Sequence, residues 1–167
     1  MTNLALVGCA HIHTPGFIKR MKERAGIKVV SVWDHDDARA KKNADELGAP
    51  VAADLAEVWS SKEVGAVVVC SETNRHEELV LAAAGAGKHM FVEKPLGMGA
   101  ADSRRMSRAI RKARVKFQTG YFMRGSPIHQ FLRDAVRKGW FGKVTRARHS
   151  NCHKGSLGGW FDTDWRW

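Results

Sequence analysis

Cysteine is scarce in this chain of 167 residues. Cys9, Cys70 and Cys152 are too few and too scattered to make a disulfide framework, which points to a reducing cytoplasm. Long apolar runs are missing as well, and no stretch has the length needed to span a bilayer. The first residues, Met1-Thr2-Asn3 and then Leu4-Ala5-Leu6-Val7, put no basic segment ahead of the apolar run, so they read as a strand and not as a signal peptide. A repeat of solenoid period, a low-complexity tract, a G-x-S-x-G elbow and a Walker loop are all lacking. Those absences set aside repeat arrays, nucleophile-elbow hydrolases and P-loop enzymes.

Acidic residues are also in deficit, 17 against 28 basic ones, for a net charge of +11. The excess lies between Arg104 and Arg148, above all in Arg104, Arg105, Arg108, Arg111, Lys112, Arg114 and Lys116. A basic run of this kind attracts nucleic acid. Here no aromatic stacking pattern or recognition motif accompanies it, and Met106, Ala109, Ile110 and Ala113 recur beneath it at helical spacing. It therefore reads as the wet face of one amphipathic helix, and neither a nucleic-acid nor a membrane partner is expected.

What is present alternates strand with helix. Leu4–Val7 ends at Gly8 and suits a buried parallel strand; Phe17, Ile18 and Met21 follow at helical spacing behind Pro15. Ile27–Trp33 is a β-branched second strand that stops on Asp34, followed by a helix from about Asp37 to Leu47 with Gly48 at its end. Val51–Ala53 reads as a brief third strand and Asp54 as the cap of a short helix. The rhythm then repeats. Strands are predicted at Gly65–Ser71, Met90–Glu93 and Val115–Phe122, with helices over about 74–86, 101–113 and, behind Ser126-Pro127, to Lys138. Six strands in two βαβ halves predict an α/β fold, a doubly wound parallel sheet of the Rossmann type. The tail departs from this pattern. Val144–Ser150 reads as a strand with no helix after it, then come a Gly-rich stretch and Trp160, Trp165 and Trp167. The expected division is a dinucleotide-binding domain over 1–122, a connecting helix over 123–142, and from 143 the opening of an incomplete α+β domain.

A dinucleotide site requires a tight turn after the first strand with close backbone approach to a pyrophosphate. The G-x-G-x-x-G pattern becomes Gly8-Cys9-Ala10-His11-Ile12-His13, in which only the first glycine stands. Asp34 sits where a carboxylate accepts bonds from the adenosine ribose; it would repel a 2′-phosphate, which favours NAD over NADP unless Arg39 compensates. A helix cap is the alternative role for Asp34, although Asp36 and Asp37 could fill it. After the fourth predicted strand, Ser71-Glu72-Thr73-Asn74-Arg75-His76 offers side chains that either cap the next helix or face the crevice. His11 and His13 form an H-x-H pair that also opens barrel metal sites, and His149, Cys152 and His153 make a second candidate cluster, but no strand end supplies a clear further ligand set. Lys88-His89-Met90-Phe91-Val92-Glu93-Lys94-Pro95 delivers a carboxylate and an ammonium to the carboxyl edge of the sheet. There Pro95 keeps Lys94 out of the helix and the ammonium can bond a substrate oxygen.

These segments together resemble the glucose–fructose oxidoreductase/inositol dehydrogenase/MocA (Gfo/Idh/MocA) family. The likeness rests on G-C-A-H-I near the start, V-W-D at the second strand, S-E-T-N-R-H-E-E-L after the fourth, and above all A-G-K-H-M-F-V-E-K-P-L. The resemblance implies a Rossmann domain binding NAD, or NADP, followed by an open-sheet domain that holds a sugar, polyol or related small molecule. On that resemblance, Lys94 matches a lysine beside the nicotinamide and the reacting hydroxyl, Glu93 matches a glutamate that helps to shape the cofactor site, and Pro95 matches its proline. Gly8, Ala10, His11 and Ile12 line the pyrophosphate turn, Asp34 the ribose, Ser71, Asn74 and His76 the nicotinamide side, and Arg124 a further cofactor contact. The family's Asp and His acid–base pair lies on a second-domain helix that this sequence does not contain. The expectation is an NAD(P)-dependent hydride-transferring enzyme, active in a longer chain and oligomeric through its second domain. The alternative is a dinucleotide-binding or sensor module without turnover.

Overall fold

The computed structural model describes residues 1–155 and 157–159, so the predicted roles of Trp160, Trp165 and Trp167 lie outside the described residues. Strands β1 (Thr2–Val7), β2 (Ile27–Trp33), β3 (Ala66–Val69), β4 (His89–Val92) and β5 (Phe117–Thr119) form one parallel sheet in the order β2-β1-β3-β4-β5. Between and after them run helices α1 (Thr14–Glu23), α2 (Asp37–Leu47), α3 (Leu55–Ser60), α4 (His76–Gly85), α5 (Ala100–Ala113) and α6 (Pro127–Arg137).

The apolar runs of β1 and β3 follow from burial on both faces of the sheet. Successive side chains of β1 alternate between the faces: Leu4 and Leu6 join Ile18, Met21 and Val32 on one, while Ala5 and Val7 join Leu79, Val80, Met106 and Ile110 on the other. From β1 the chain steps outward to β2 and then crosses back to β3. That reversal opens a crevice beyond the carboxyl ends of β1 and β3.

Local chemistry sets the helix limits. Asp36 accepts the Arg39 N–H at 2.9 Å to start α2, and Gly48 ends it with φ +63°; Asp54 accepts the Glu57 N–H to start α3. In α5, Met106 and Ile110 enter the core while Arg104, Arg105, Arg108, Arg111 and Lys112 are exposed. The basic run is thus the outer face of an amphipathic helix.

Three predicted elements differ. The third strand shrinks to a single bridge between Val51 and Val32, because Asp54 begins α3 immediately afterwards. The sixth is confined to Phe117–Thr119, and Phe122–Gly125 winds into a 3-10 turn. Val144–Ser150 has no ladder partner and no regular structure; alternation alone does not make a strand when its backbone groups have no neighbouring strand to bond. Ser126 makes no side-chain cap bond, although Pro127 does stand first in α6.

Residues 1–120 form one compact unit, and a second begins at Tyr121. In the second, α6 buries Ala135 and leaves Ile128, Phe131, Leu132 and Val136 exposed, with Phe131 set edge-on to Trp140. Among the described residues, no helix is long and apolar enough to cross a membrane.

Candidate functional site

The turn after β1 is built on a glycine. Gly8 has φ +76°, and a Cβ there would overlap the Ser71 side chain and lie 2.6 Å from Ser71 Cα. Only glycine allows β1 to turn this close to the residue that follows β3. Backbone bonds hold the turn in place: Gly8 N–H to Trp33 O at 2.7 Å, and His11 N–H to Cys70 O at 2.9 Å. The chain then bends through Ala10–His13 before α1 begins at Thr14 with Pro15 in its first turn. Because the helix starts late, His13 lies outside the helix–strand packing that a third fingerprint glycine would serve, and its half-exposed ring turns toward Glu93.

At the end of β2, Asp34 is buried and both its oxygens are engaged. Oδ2 accepts from the Cys9 N–H at 2.6 Å and Arg39 Nε at 2.9 Å; Oδ1 accepts from Arg39 Nη2 at 2.7 Å and the Asp36 N–H at 2.9 Å. Burial alone would raise the Asp34 pKa, but the Arg39 bonds and these two amides outweigh it and hold the carboxyl below the ordinary range. Arg39 Nη2 reaches on to Glu72 Oε1, at 2.9 Å, just past the end of β3. The His35 ring stands 3.3 Å from Asp34 Oδ1 and 3.5 Å from Glu72 Oε1. Glu72 is 5% exposed, and among the described residues its buried Oε2 has no hydrogen-bond partner.

At the end of β4, Glu93 is buried. His13 Nδ1 lies 2.8 Å from its Oε1, the Lys94 N–H donates to its Oε2 at 2.5 Å, and a Cβ on Gly120 would fall 2.5 Å from that same oxygen. Lys94 is half-buried at the strand end, and its peptide bond to Pro95 is cis. The His13 N–H donates to His11 Nδ1, and burial pushes the His11 pKa down to about 4. His76 is wholly buried, with Nδ1 2.9 Å from Pro95 O and Nε2 3.3 Å from Ser71 O. It ties the loop after β3 to the loop after β4. Burial lowers its pKa despite these carbonyls, so the ring is neutral near pH 7. Burial, aided by Asp34, pushes the Cys9 thiol far up, and the Cys70 thiol likewise rises on burial.

Gly8, Ala10, His11, Ile12, Asp34, Ser71, Asn74, His76, Glu93 and Lys94 thus all follow strands β1 to β4 within the first unit. Ser71 is buried with its hydroxyl on Glu72 O, and Asn74 is exposed in a 3-10 turn. Arg124 belongs to the second unit, where its carbonyl accepts from Gln130 Nε2. Sequence reasoning missed Glu72 and the pairing of His13 with Glu93. It also missed that Glu93 joins His11 and His13 in a group whose ligand-type atoms lie within 4.8 Å of one another. In that group His11 Nδ1 already accepts from the His13 N–H and His13 Nδ1 is bonded to Glu93, so the three form a hydrogen-bonded chain. His149, Cys152 and His153 form no three-ligand cluster among the described residues.

A doubly wound parallel sheet, with a glycine turn pressed against the third strand and a carboxylate closing the second, defines a Rossmann nucleotide-binding protein. Residues 2–121 match the family described as "Oxidoreductase family, NAD-binding Rossmann fold" (GFO_IDH_MocA), and the chain belongs to it. It is 40% identical over 114 residues to myo-inositol 2-dehydrogenase of Thermotoga maritima, covering 68% of this chain and 34% of that protein. It is 32% identical over 163 residues to 1,5-anhydro-D-fructose reductase of Ensifer adhaerens, covering 96% and 49% respectively. The fold also matches the crystal structure of scyllo-inositol dehydrogenase from Lactobacillus casei with bound NAD(H) and scyllo-inositol, with a TM-score of 0.73 at 22% identity, over 87% of this chain and 43% of that one. The chain therefore spans a third to a half of the length of the curated relatives it matches.

Proposed function

We propose that this chain is the cofactor-holding part of an NAD(P)-dependent oxidoreductase that interconverts a hydroxyl and a carbonyl of a sugar, polyol or related small molecule. The residues suit a dinucleotide. Gly8 lets the turn after β1 press against Ser71, where a Cβ would collide, and the buried Glu72 Oε2 is an acceptor that a ribose hydroxyl would satisfy. The nicotinamide, when bound, supplies or takes the hydride. Gly8, Ala10, His11 and Ile12 would hold the pyrophosphate, and Ser71 and Asn74 would flank the nicotinamide side.

The observation that carries the reading is the 2.8 Å link between His13, in the turn after β1, and Glu93, at the end of β4. Through it the phosphate turn and the Glu93-Lys94-Pro95 segment are fixed to each other. Glu93 also accepts the Lys94 N–H, so the backbone that presents Lys94 is held at the crevice. The Lys94 ammonium then bonds the substrate oxygen and orients the carbon that exchanges hydride, while the hydroxyl proton passes to a base. Substrate choice and that base belong to the length of the relatives that this chain does not span.

The test is a tryptophan-fluorescence titration of this chain with NADH, read through Trp33 beside Asp34, alongside nicotinamide reduction, with a panel of cyclic polyols and aldoses, by the chain completed to the length of its relatives. Saturable NADH binding is expected, and Lys94→Ala should lower turnover about a hundredfold while NADH affinity holds. Binding without turnover on any polyol or sugar would favour a non-catalytic dinucleotide module. A folded protein that binds no dinucleotide would sink the reading.

A further inference from the structure

The acidic residue at the end of a second Rossmann strand is ordinarily the ribose-binding group, yet in this protein Asp34 has nothing left to offer. A carboxylate presents about four lone-pair positions. Those of Asp34 are taken by two Arg39 nitrogens and by the amides of Cys9 and Asp36, and its side chain is fully buried. A ribose hydroxyl could bond Asp34 only by displacing one of these donors.

Glu72 is in the opposite condition. It lies past the end of β3, on the other side of β1 from Asp34, and Arg39 spans the gap between them. The guanidinium gives Nε and Nη2 to Asp34 and shares Nη2 with Glu72 Oε1. Glu72 Oε2 is buried and has no donor among the described residues. Such an oxygen is costly to leave unmet, and a hydroxyl is the donor that satisfies it. The charge balance points the same way. Two buried carboxylates share one guanidinium, with the half-exposed His35 ring at their edge, so the trio of Asp34, Arg39 and Glu72 carries a net negative charge. A phosphate brought to this place would meet that charge, and Glu72 keeps Arg39 from turning to meet it.

We propose, on the dinucleotide reading above, that Glu72 is the residue that discriminates between the cofactors. Its Oε2 takes the adenosine ribose hydroxyl, and its hold on Arg39 keeps a 2′-phosphate out. Asp34 anchors Arg39 and the turn at Cys9 and acts on the cofactor only through them.

The experiment titrates the whole chain with NADH and NADPH, and with adenosine 5′-monophosphate and adenosine 2′,5′-bisphosphate as fragments that need no nicotinamide. The proteins are the wild type, Glu72→Gln, Arg39→Gln and the double variant. The wild type should prefer NADH over NADPH by about tenfold or more. Glu72→Gln, which keeps the shape and removes the charge, should gain about tenfold for NADPH and for the bisphosphate, and the double variant should lose that gain. Arg39→Gln alone should widen the preference for NADH, so the proposal stays testable even if Glu72→Gln does not fold. Equal weakening of both cofactors in Glu72→Gln, or an unchanged ratio, would assign Glu72 to the framework and overturn the proposal while leaving dinucleotide binding intact. A wild-type preference for NADPH overturns it outright. Failure of the folded wild type to bind any of the four removes the dinucleotide reading, and this proposal with it.

Discussion

Two polar clusters flank the same glycine turn and are held together by different physics. Past the ends of β2 and β3, the buried Asp34 and Glu72 are clasped by the half-buried Arg39 through bonds of 2.7 to 2.9 Å. Between the turn after β1 and the end of β4, His11, His13 and Glu93 form a hydrogen-bonded chain in which two of the three members are imidazoles. In the first, the Arg39 bonds hold the Asp34 carboxyl below its ordinary range; in the second, burial pushes the His11 pKa down to about 4.

The change expected to break the comparison altogether is Gly8→Ala, since the turn supports both clusters. A methyl group at φ +76° in collision with Ser71 should cost about 4 kcal/mol and abolish NADH binding, as urea unfolding and fluorescence titration will show. Acidification should separate the two. Burial depresses the native His11 pKa to about 4 from 6.5, so the neutral-ring contribution is complete above pH 6.5 and is lost as pH falls toward 4. In that window the unfolded chain binds more protons than the native one, and about 3 kcal/mol of stability should disappear, with His76 adding in the same direction. Asp34, held below its ordinary range, keeps its charge through the window. His11→Gln should flatten the acid limb of the unfolding midpoint without removing it.

Gly120→Ala acts on the β4 end alone. Its new Cβ would crowd Glu93 Oε2 and loosen the link to His13, for a loss of about 1 to 2 kcal/mol with NADH affinity retained. Equal losses of NADH binding and stability in this variant would mean that the clusters are not separable. The smallest effect is expected at Arg105→Ala. That residue pairs with Glu77 on the surface of α4 and α5, and its removal should leave the unfolding midpoint where it is.

Much of the scaffold was legible because the relevant signals are local. Apolar runs closed by Gly8 and Asp34 mark β1 and β2, Gly48 marks the end of α2, and Met106 and Ile110 fix the buried face of α5 through their spacing. The Glu93-Lys94-Pro95 segment sits at the strand end where its proline and its charges imply. What was not legible depends on distance along the chain. Arg39 meets Glu72 33 positions away, and His13 meets Glu93 80 positions away, with no periodicity linking either pair. The weakness of the fingerprint is also local: Ala10 and His13 stand where its second and third glycines belong, and α1 begins only after them. Val144–Ser150 carries a strand pattern, but a strand is a property of two segments and the pattern belongs to one.

The thiols provide a clock for how often this edge of the sheet opens. Cys152 is exposed and should be the first to react with an alkylating reagent, whereas Cys9, in the glycine turn, and Cys70, beside it, are buried and protonated. Each further mass increment in a timed alkylation therefore counts an excursion in which the turn has parted from β3. Adding NADH should slow that second and third labelling and leave the first untouched.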